Sequence, residues 1–517
     1  MSFNRTAGIL LHPTSLPGPF GIGDLGPAAR AFVDWLRAAD LGLWQILPLG
    51  PTGYGNSPYL CYSALAGNPA LISPELLAED GWLREADWAQ SPDFDPDQVA
   101  FETVLPWKEQ LFTLAFRRFE QQASVTQLAE FDAFCQTEAS WLEDYALFMA
   151  LKRSQADEPW MDWPAPLRQR QPEAIAAIRP QLLRGIRFQQ FLQWCFRRQW
   201  QALHDYASAR GIRLVGDIPI YVSQDSADVW ANPQFFQLDP ETGLAEQRAG
   251  VPPDYFSETG QLWGNPCYDW EALKADGYRW WLERLRQLLS LVDYVRIDHF
   301  RGLESYWAVP AGEETAINGE WLPAPGHDFL ATVQRELGDL PILAEDLGVI
   351  TPEVEALRDN FRLPGMKILQ FAFDSDSGNG YLPHNYWGHS WICYTGTHDN
   401  DTTVGWFVAR DEGQRARVLD YLGHDNGWGI EWKLMRLAWM STAVWAIAPL
   451  QDVLGLDSRA RMNRPGVADG NWGWRVRASA LTPELAQRLA HLTALYRRVP
   501  ERPPLPEEPE LPSTEPV

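Results

Sequence analysis

Eight short apolar runs, most of them separated by helical patterns, limit what this chain can fold into more than any other feature. The runs are Gly8–His12, Leu43–Leu49, Ile212–Asp217, Tyr294–Asp298, Ile342–Glu345, Lys367–Phe373, Trp391–Tyr394 and Leu450–Leu454. Runs this short, with little alternation, read as strands buried on both faces. Patterns such as Ala28–Ala39, Trp280–Leu291 and Pro352–Asn360 are helical, and strands alternating with helices make a parallel sheet. Eight such units predict a (β/α)8 TIM barrel of the α/β class.

The spacing is uneven. Roughly 160 residues separate the second run from the third, where a βα unit needs only a short loop and one helix. The amphipathic patterns there, Trp107–Phe119, Phe131–Leu151 and Leu182–Ala207, predict a mainly helical insertion subdomain over 65–205. The catalytic barrel is expected over 1–499, with a lid loop at 245–270. In that loop Pro252, Pro253 and Gly260 flank Tyr255 and Phe256, a composition that lets aromatic side chains cover a cleft and still move. Residues 500–517 are dense in Pro and Glu and are expected to be a disordered tail.

Charge narrows the partners. A formal net charge of -25 argues against nucleic acid or an anionic membrane, both of which reward clustered Lys and Arg. Cys61, Cys135, Cys195, Cys267 and Cys393 are odd in number, widely spaced and free of CxxC pairs, so neither a disulfide framework nor a zinc site is indicated. A cytoplasmic location is expected. The apolar stretch Gly8–Leu11 is too brief for a signal peptide, and Leu437–Leu450 falls short of a membrane span and contains Pro449. It reads as a buried helix feeding a strand. Gly21-Ile-Gly23-Asp-Leu-Gly26 matches the dinucleotide fingerprint, but Pro13–Phe20 intervenes after the strand and the second run ends in Leu-Pro-Leu-Gly-Pro51, so a turn is the better reading.

Three acids stand at the downstream ends of apolar runs: Asp298, Glu345 and Asp399. In a β/α barrel catalytic groups occupy those ends. Residues two apart on a strand share a face, so Arg296 points with Asp298 and would keep it ionised, as a nucleophile requires. The same pair would serve as a buried structural ion pair, and the segment alone leaves both open. The apolar residues before Glu345 favour burial, which raises a carboxyl toward the range of a general acid. Thr395–Asp401 is a polar cluster that could equally be a capped turn.

Together these segments resemble the catalytic regions of the α-amylase clan, and the surrounding sequence is similar to the 4-α-glucanotransferase (amylomaltase, disproportionating enzyme) family. The matching stretches include 12–19, 50–59, 216–222, 250–257, 263–266, 295–302, 343–348, 394–401 and 461–463. The resemblance runs from Gly8 to about Trp474. It implies Asp298 as nucleophile, Glu345 as acid/base and Asp399 as the group that binds the donor sugar's 2- and 3-hydroxyls. Arg296 and His398 would orient them, His299 and Asp217 would line the site, and Tyr59 would stack on the sugar being cleaved. Ser57, Trp263 and Asn463 join the implied binding residues, with Asp254, Tyr255 and Phe256 on the lid and Tyr54 on a second glucan surface. It also implies a retaining double displacement on α-1,4-glucans (maltooligosaccharides, amylose), with no cofactor, no metal and no obligate protein partner.

The 26 Trp and 16 Tyr suit sugar binding, since sugar faces stack on aromatic rings, although most, including Trp194 and Trp200, read as core. Two rival classes stay open at this level. His299, His398 and the three acids could ligate a metal, though no HxH or HExxH spacing occurs. A barrel that only binds glucan is the other; all three acids with Arg296 weigh against it.

Overall fold

In a computed structural model of the chain, residues 3–253, 257–423 and 427–504 are described. Eight parallel strands form the barrel: β1 Thr6–Leu10, β2 Leu43–Gln45, β3 Arg213–Pro219, β4 Tyr294–Asp298, β5 Ile342–Ala344, β6 Gly365–Ile368, β7 Trp391–Tyr394 and β8 Trp445–Pro449. Their hydrogen-bonded order is β6-β7-β8-β1-β2-β3-β4-β5. Between the end strands the Ala344 amide donates to the Pro364 carbonyl at 2.9 Å. The architecture is a (β/α)8 barrel.

Sequence explains the closeness of the pairing. Gly8 of β1 lies opposite Leu43 of β2, and a Cβ on Gly8 would sit 2.5 Å from that of Leu43. Only a residue without a side chain fits there. The helix Pro27–Ala38 starts with Pro at its first position and buries Ala29, Phe32, Val33 and Leu36, an i, i+3, i+4, i+7 stripe facing the barrel. The glycine run before it is a tight turn. A Cβ at Gly23 would lie 2.1 Å from the Pro13 carbonyl oxygen, so no phosphate-cradling loop forms.

The eighth strand differs from expectation. Leu450–Val453 is helical, and the strand is Trp445–Pro449 just before it. The stretch 437–450 therefore holds the end of the helix Ile430–Met440, a turn and then β8 itself. Both segments are buried, and periodicity cannot distinguish a short buried strand from a helical turn. Pro449 fixes the boundary, since it suits the residue before a helix and cannot donate within a sheet. The sixth run also bends early, with β6 ending at Ile368 and a 3-10 turn at Leu369–Phe371.

Between β2 and β3 lie the helices Phe101–Gln122, Val125–Thr137, Ala139–Ser154 and Pro172–Ala209. The last is 38 residues long and leads directly into β3. A second, four-stranded antiparallel sheet joins Gln261–Pro266, Gln247–Val251, Ser305–Pro310 and Glu320–Pro323 in that order. It stands beside the barrel mouth and brings Trp263 and Trp321 to the site described below.

Near the chain's end Arg498 is fully buried. Its guanidinium donates to the carbonyls of Thr6 (3.0 Å), Trp439 (2.7 Å), Ser441 (3.1 Å), Ala443 (3.0 Å) and Val444 (3.2 Å). It thereby satisfies the carbonyls at a helix C-terminus and ties β1 to the approach to β8. Burial among carbonyls, without a carboxylate, pushes its pKa down to about 9. Of the Pro/Glu segment, Arg502 pairs with Asp40 at 3.2 Å, while 505–517 lie outside the described residues. No described helix is long and apolar enough to cross a membrane.

Candidate active site

At the C-terminal ends of the strands a cleft of about 700 Å³ opens. Asp298, Glu345 and Asp399 line it together, with Tyr54, Ser57, Tyr59, Trp263, Arg296, His299, His398 and Asn463. The three acids come from the ends of β4 and β5 and from the loop after β7.

Arg296 organises the first wall. Its Nη1 donates to Asp217 Oδ1 and Oδ2 at 2.8 and 2.7 Å, and its Nη2 pairs with Asp298 Oδ1 at 2.9 Å. Burial opposes the guanidinium's charge, but Asp217 and Asp298 hold it fully protonated. Asp217 does not line the cleft as the sequence suggested. Its side chain is fully buried behind Arg296 and accepts the Tyr59 hydroxyl at 2.6 Å. A short side chain on β3 cannot reach past the guanidinium that it neutralises. Burial and the Asp217 charge raise the Tyr59 phenol, so Tyr59 stays a donor.

Glu345 is held differently. It is only 9% exposed and accepts the His299 amide at 2.6 Å and the Leu347 amide at 3.1 Å. His299 lies in the left-handed region (φ 52°), a strained backbone for a non-glycine residue that aims its N–H at Glu345 as the chain leaves β4. Burial raises the Glu345 carboxyl well above its ordinary value; Arg296 pulls it back, and Asp298 and Asp346 push it further. Asp298 is also pushed up, to about 7, mainly by burial, while Arg296 works against the rise. Water works against it too, since 27% of the Asp298 side chain is exposed. The guanidinium touches Asp298 and the two carboxylates repel, so the proton they share belongs on Glu345. One ionised and one protonated carboxyl side by side can attack a carbon and protonate a leaving oxygen. His299, with burial pushing its ring down to about 3, is neutral; its Nε2 has no partner among the described residues.

The third acid sits in a neutral setting. Asp399 accepts the Asn463 side-chain amide at 2.6 Å, and His398 Nε2 lies 3.3 Å from its other oxygen. Burial lowers the His398 pKa despite Asp399. Tyr59 stacks on His398 at 5.2 Å and 14°, and Trp472 closes the cluster at 5.9 Å from Tyr59. Ser57 accepts the Tyr59 amide at 3.2 Å and so shapes the loop that presents the ring. Tyr54 is 76% exposed and stands at the outer rim.

Several contributors escaped the sequence reading, among them Arg461 and Trp472. Arg461 donates to the Asp399 carbonyl at 2.6 Å and to the Asn463 carbonyl at 2.7 Å, a role its place two residues before Asn463 could have suggested. Trp472 has φ 65° and follows no apolar pattern, so nothing local marked it. Asp254, Tyr255 and Phe256 lie outside the described residues. Among the described residues no group of three His, Cys, Asp or Glu is arranged to hold a metal ion.

A family model described as 4-alpha-glucanotransferase matches residues 11–482. The 4-alpha-glucanotransferase of Synechocystis is 56% identical over 495 residues, covering 96% of this chain and 98% of that one. That of Thermus thermophilus is 50% identical, covering 96% and 100%. Among solved structures, amylomaltase from Streptococcus agalactiae in complex with acarbose superposes with a TM-score of 0.92 at 39% identity, covering 96% of this chain and 99% of that one.

Proposed function

Since the chain belongs to the 4-alpha-glucanotransferase family, its reaction is the transfer of α-1,4-glucan segments from a donor to an acceptor glucan or glucose, and we propose how its residues divide the work. Asp298 attacks the anomeric carbon while Glu345 gives its proton to the departing 4-oxygen. The glycosyl–Asp298 ester then receives the acceptor's 4-hydroxyl, with Glu345 as base, and configuration is retained over two displacements. Asp399, fixed by Asn463 and His398, binds the 2- and 3-hydroxyls of the sugar at the bond being cleaved, and Tyr59 stacks on it.

The single observation that carries this reading is the convergence of Asp298, Glu345 and Asp399 on one cleft, with Arg296 on Asp298 and two backbone amides on Glu345. The pairing supports an ionised nucleophile beside a protonated acid. Transfer, rather than hydrolysis, requires an acceptor held in attacking geometry against water. The partners on this reading are maltooligosaccharides and amylose, with no nucleic acid, membrane or obligate protein partner. Five free cysteines support a reducing, cytoplasmic setting.

Incubation with maltotriose and chromatography of the products tests the reading. Glucose and a ladder of longer maltodextrins should form, with little net gain in reducing ends. A steady rise in reducing ends with only glucose and maltose accumulating would mean a hydrolase.

A further inference from the structure

Trp321 sits on the edge strand Glu320–Pro323 and reaches the wall of the cleft. One face of its ring lies 3.6 Å from the Arg301 guanidinium carbon, and its edge meets Trp307 at a ring separation of 5.3 Å and 64°. Arg301, only 4% exposed, is itself fixed by bonds to the Val349 carbonyl and to the Ser305 hydroxyl at 3.2 Å. The indole is therefore set on two sides and half-buried, and it lines the cleft.

Chemistry gives its place along the cleft. An acid/base stands beside the oxygen of the leaving group, so the part of the cleft beyond Glu345 from Asp399 receives the departing glucan and then the incoming one. Val349 lies on the loop that follows Glu345, and Arg301, which holds Val349, is the side chain on which Trp321 rests. Trp263 is edge-on at 4.9 Å to His299, whose amide bonds Glu345, whereas Trp321 connects to the Glu345 loop through Arg301 and Val349. Those contacts place Trp263 one step, and Trp321 two steps, from the residues around Glu345.

We infer that Trp321 is an acceptor-side platform that stacks on a glucosyl ring beyond the one adjoining the reacting bond, so that it ranks acceptors by length. The inference rests on the transferase reading above. The apolar face of a hexose fits a flat ring, and a ring already fixed by Arg301 and Trp307 loses little freedom on binding.

The test measures transfer from amylose to labelled glucose and to labelled maltotriose. Trp321→Ala should raise the KM for maltotriose relative to that for glucose by roughly two- to tenfold, the factor for a stacking contact of about 0.5–1.5 kcal/mol. Trp321→Phe should restore most of the preference. Trp321→Leu, which fills the space without a flat face, should behave like Ala and replaces it if Ala fails to fold. Equal changes for both acceptors, or none for either, overturn the platform. Failure of the wild type to form labelled longer products would overturn the transferase reading instead. The ratio between acceptors is read on one protein, so partial loss of folded enzyme cancels.

Discussion

The two sides of the cleft hold their acids by opposite means. On the β4–β5 side, Asp298 and Glu345 are desolvated, Asp298 is paired with Arg296, and that cation is balanced from behind by Asp217. On the β7 side, Asp399 is 44% exposed, accepts a hydrogen bond from the Asn463 amide and has the His398 ring nitrogen 3.3 Å away. The first arrangement changes what protons do, because burial and charge pairing act on ionisation. The second fixes direction, which suits a group that grips hydroxyls. On the proposed roles chemistry and grip belong to different walls, and each can be broken separately.

The largest effect should come from the first wall. Asp298→Asn and Glu345→Gln should each lower turnover by on the order of 10³ or more, because each removes a covalent or proton-transfer step. Near-normal rates in either would end the assignment. Next, Arg296→Met should leave Asp217 buried without its counter-charge, with only the Tyr59 hydroxyl to bond it, and cost about 3–5 kcal/mol of stability by denaturant unfolding. In the same variant the Asp298 carboxyl loses its counter-charge, so its pKa rises further. The acidic limb of the kcat/KM profile should therefore move to higher pH. An unmoved limb would mean that Arg296 is only structural.

The β7 side should respond more mildly. Asn463→Ala removes one hydrogen bond to a partly exposed carboxylate, and kcat/KM should fall about tenfold with little change in Tm. A loss as deep as that of Asp298→Asn would erase the distinction between the walls.

The smallest effect is thermodynamic. Burial raises the Glu345 carboxyl well above its ordinary 4.5. Above that ordinary value the native state binds more protons than the unfolded chain, so stability falls as pH rises until the folded carboxyl ionises. Glu345→Gln removes this term, and its Tm should decline less than that of the wild type as the pH is raised above about 5 in calorimetry. Parallel curves would show that Glu345 is not desolvated enough to matter.

The same division explains what the sequence could tell. Arg296 and Asp298 are two apart on one strand, so a period-two rule finds their contact at once. Burial of Glu345 follows from Ile342–Ala344 before it. Tyr59 to Asp217 spans 158 positions and Asn463 to Asp399 spans 64. For such pairs only the family resemblance pointed to the site, and it did not say that Asp217 lies behind Arg296. The mistaken eighth strand has the same origin: Trp445–Val453 is buried throughout its strand and its helix, and only pairing with β1 decides which part is extended.

The clasp at Arg498 carries a consequence for biosynthesis. β1 pairs on one side with β8, Thr6 opposite Trp445, and Arg498 bonds to Thr6 from 492 residues away. A ribosome adding roughly 5–20 residues per second therefore leaves one edge of β1 uncovered for on the order of a minute. Exposed strand edges recruit other chains. Until Trp445–Pro449 has been made, the nascent sheet is open on that side of β1, and the cell must shelter that edge for that long.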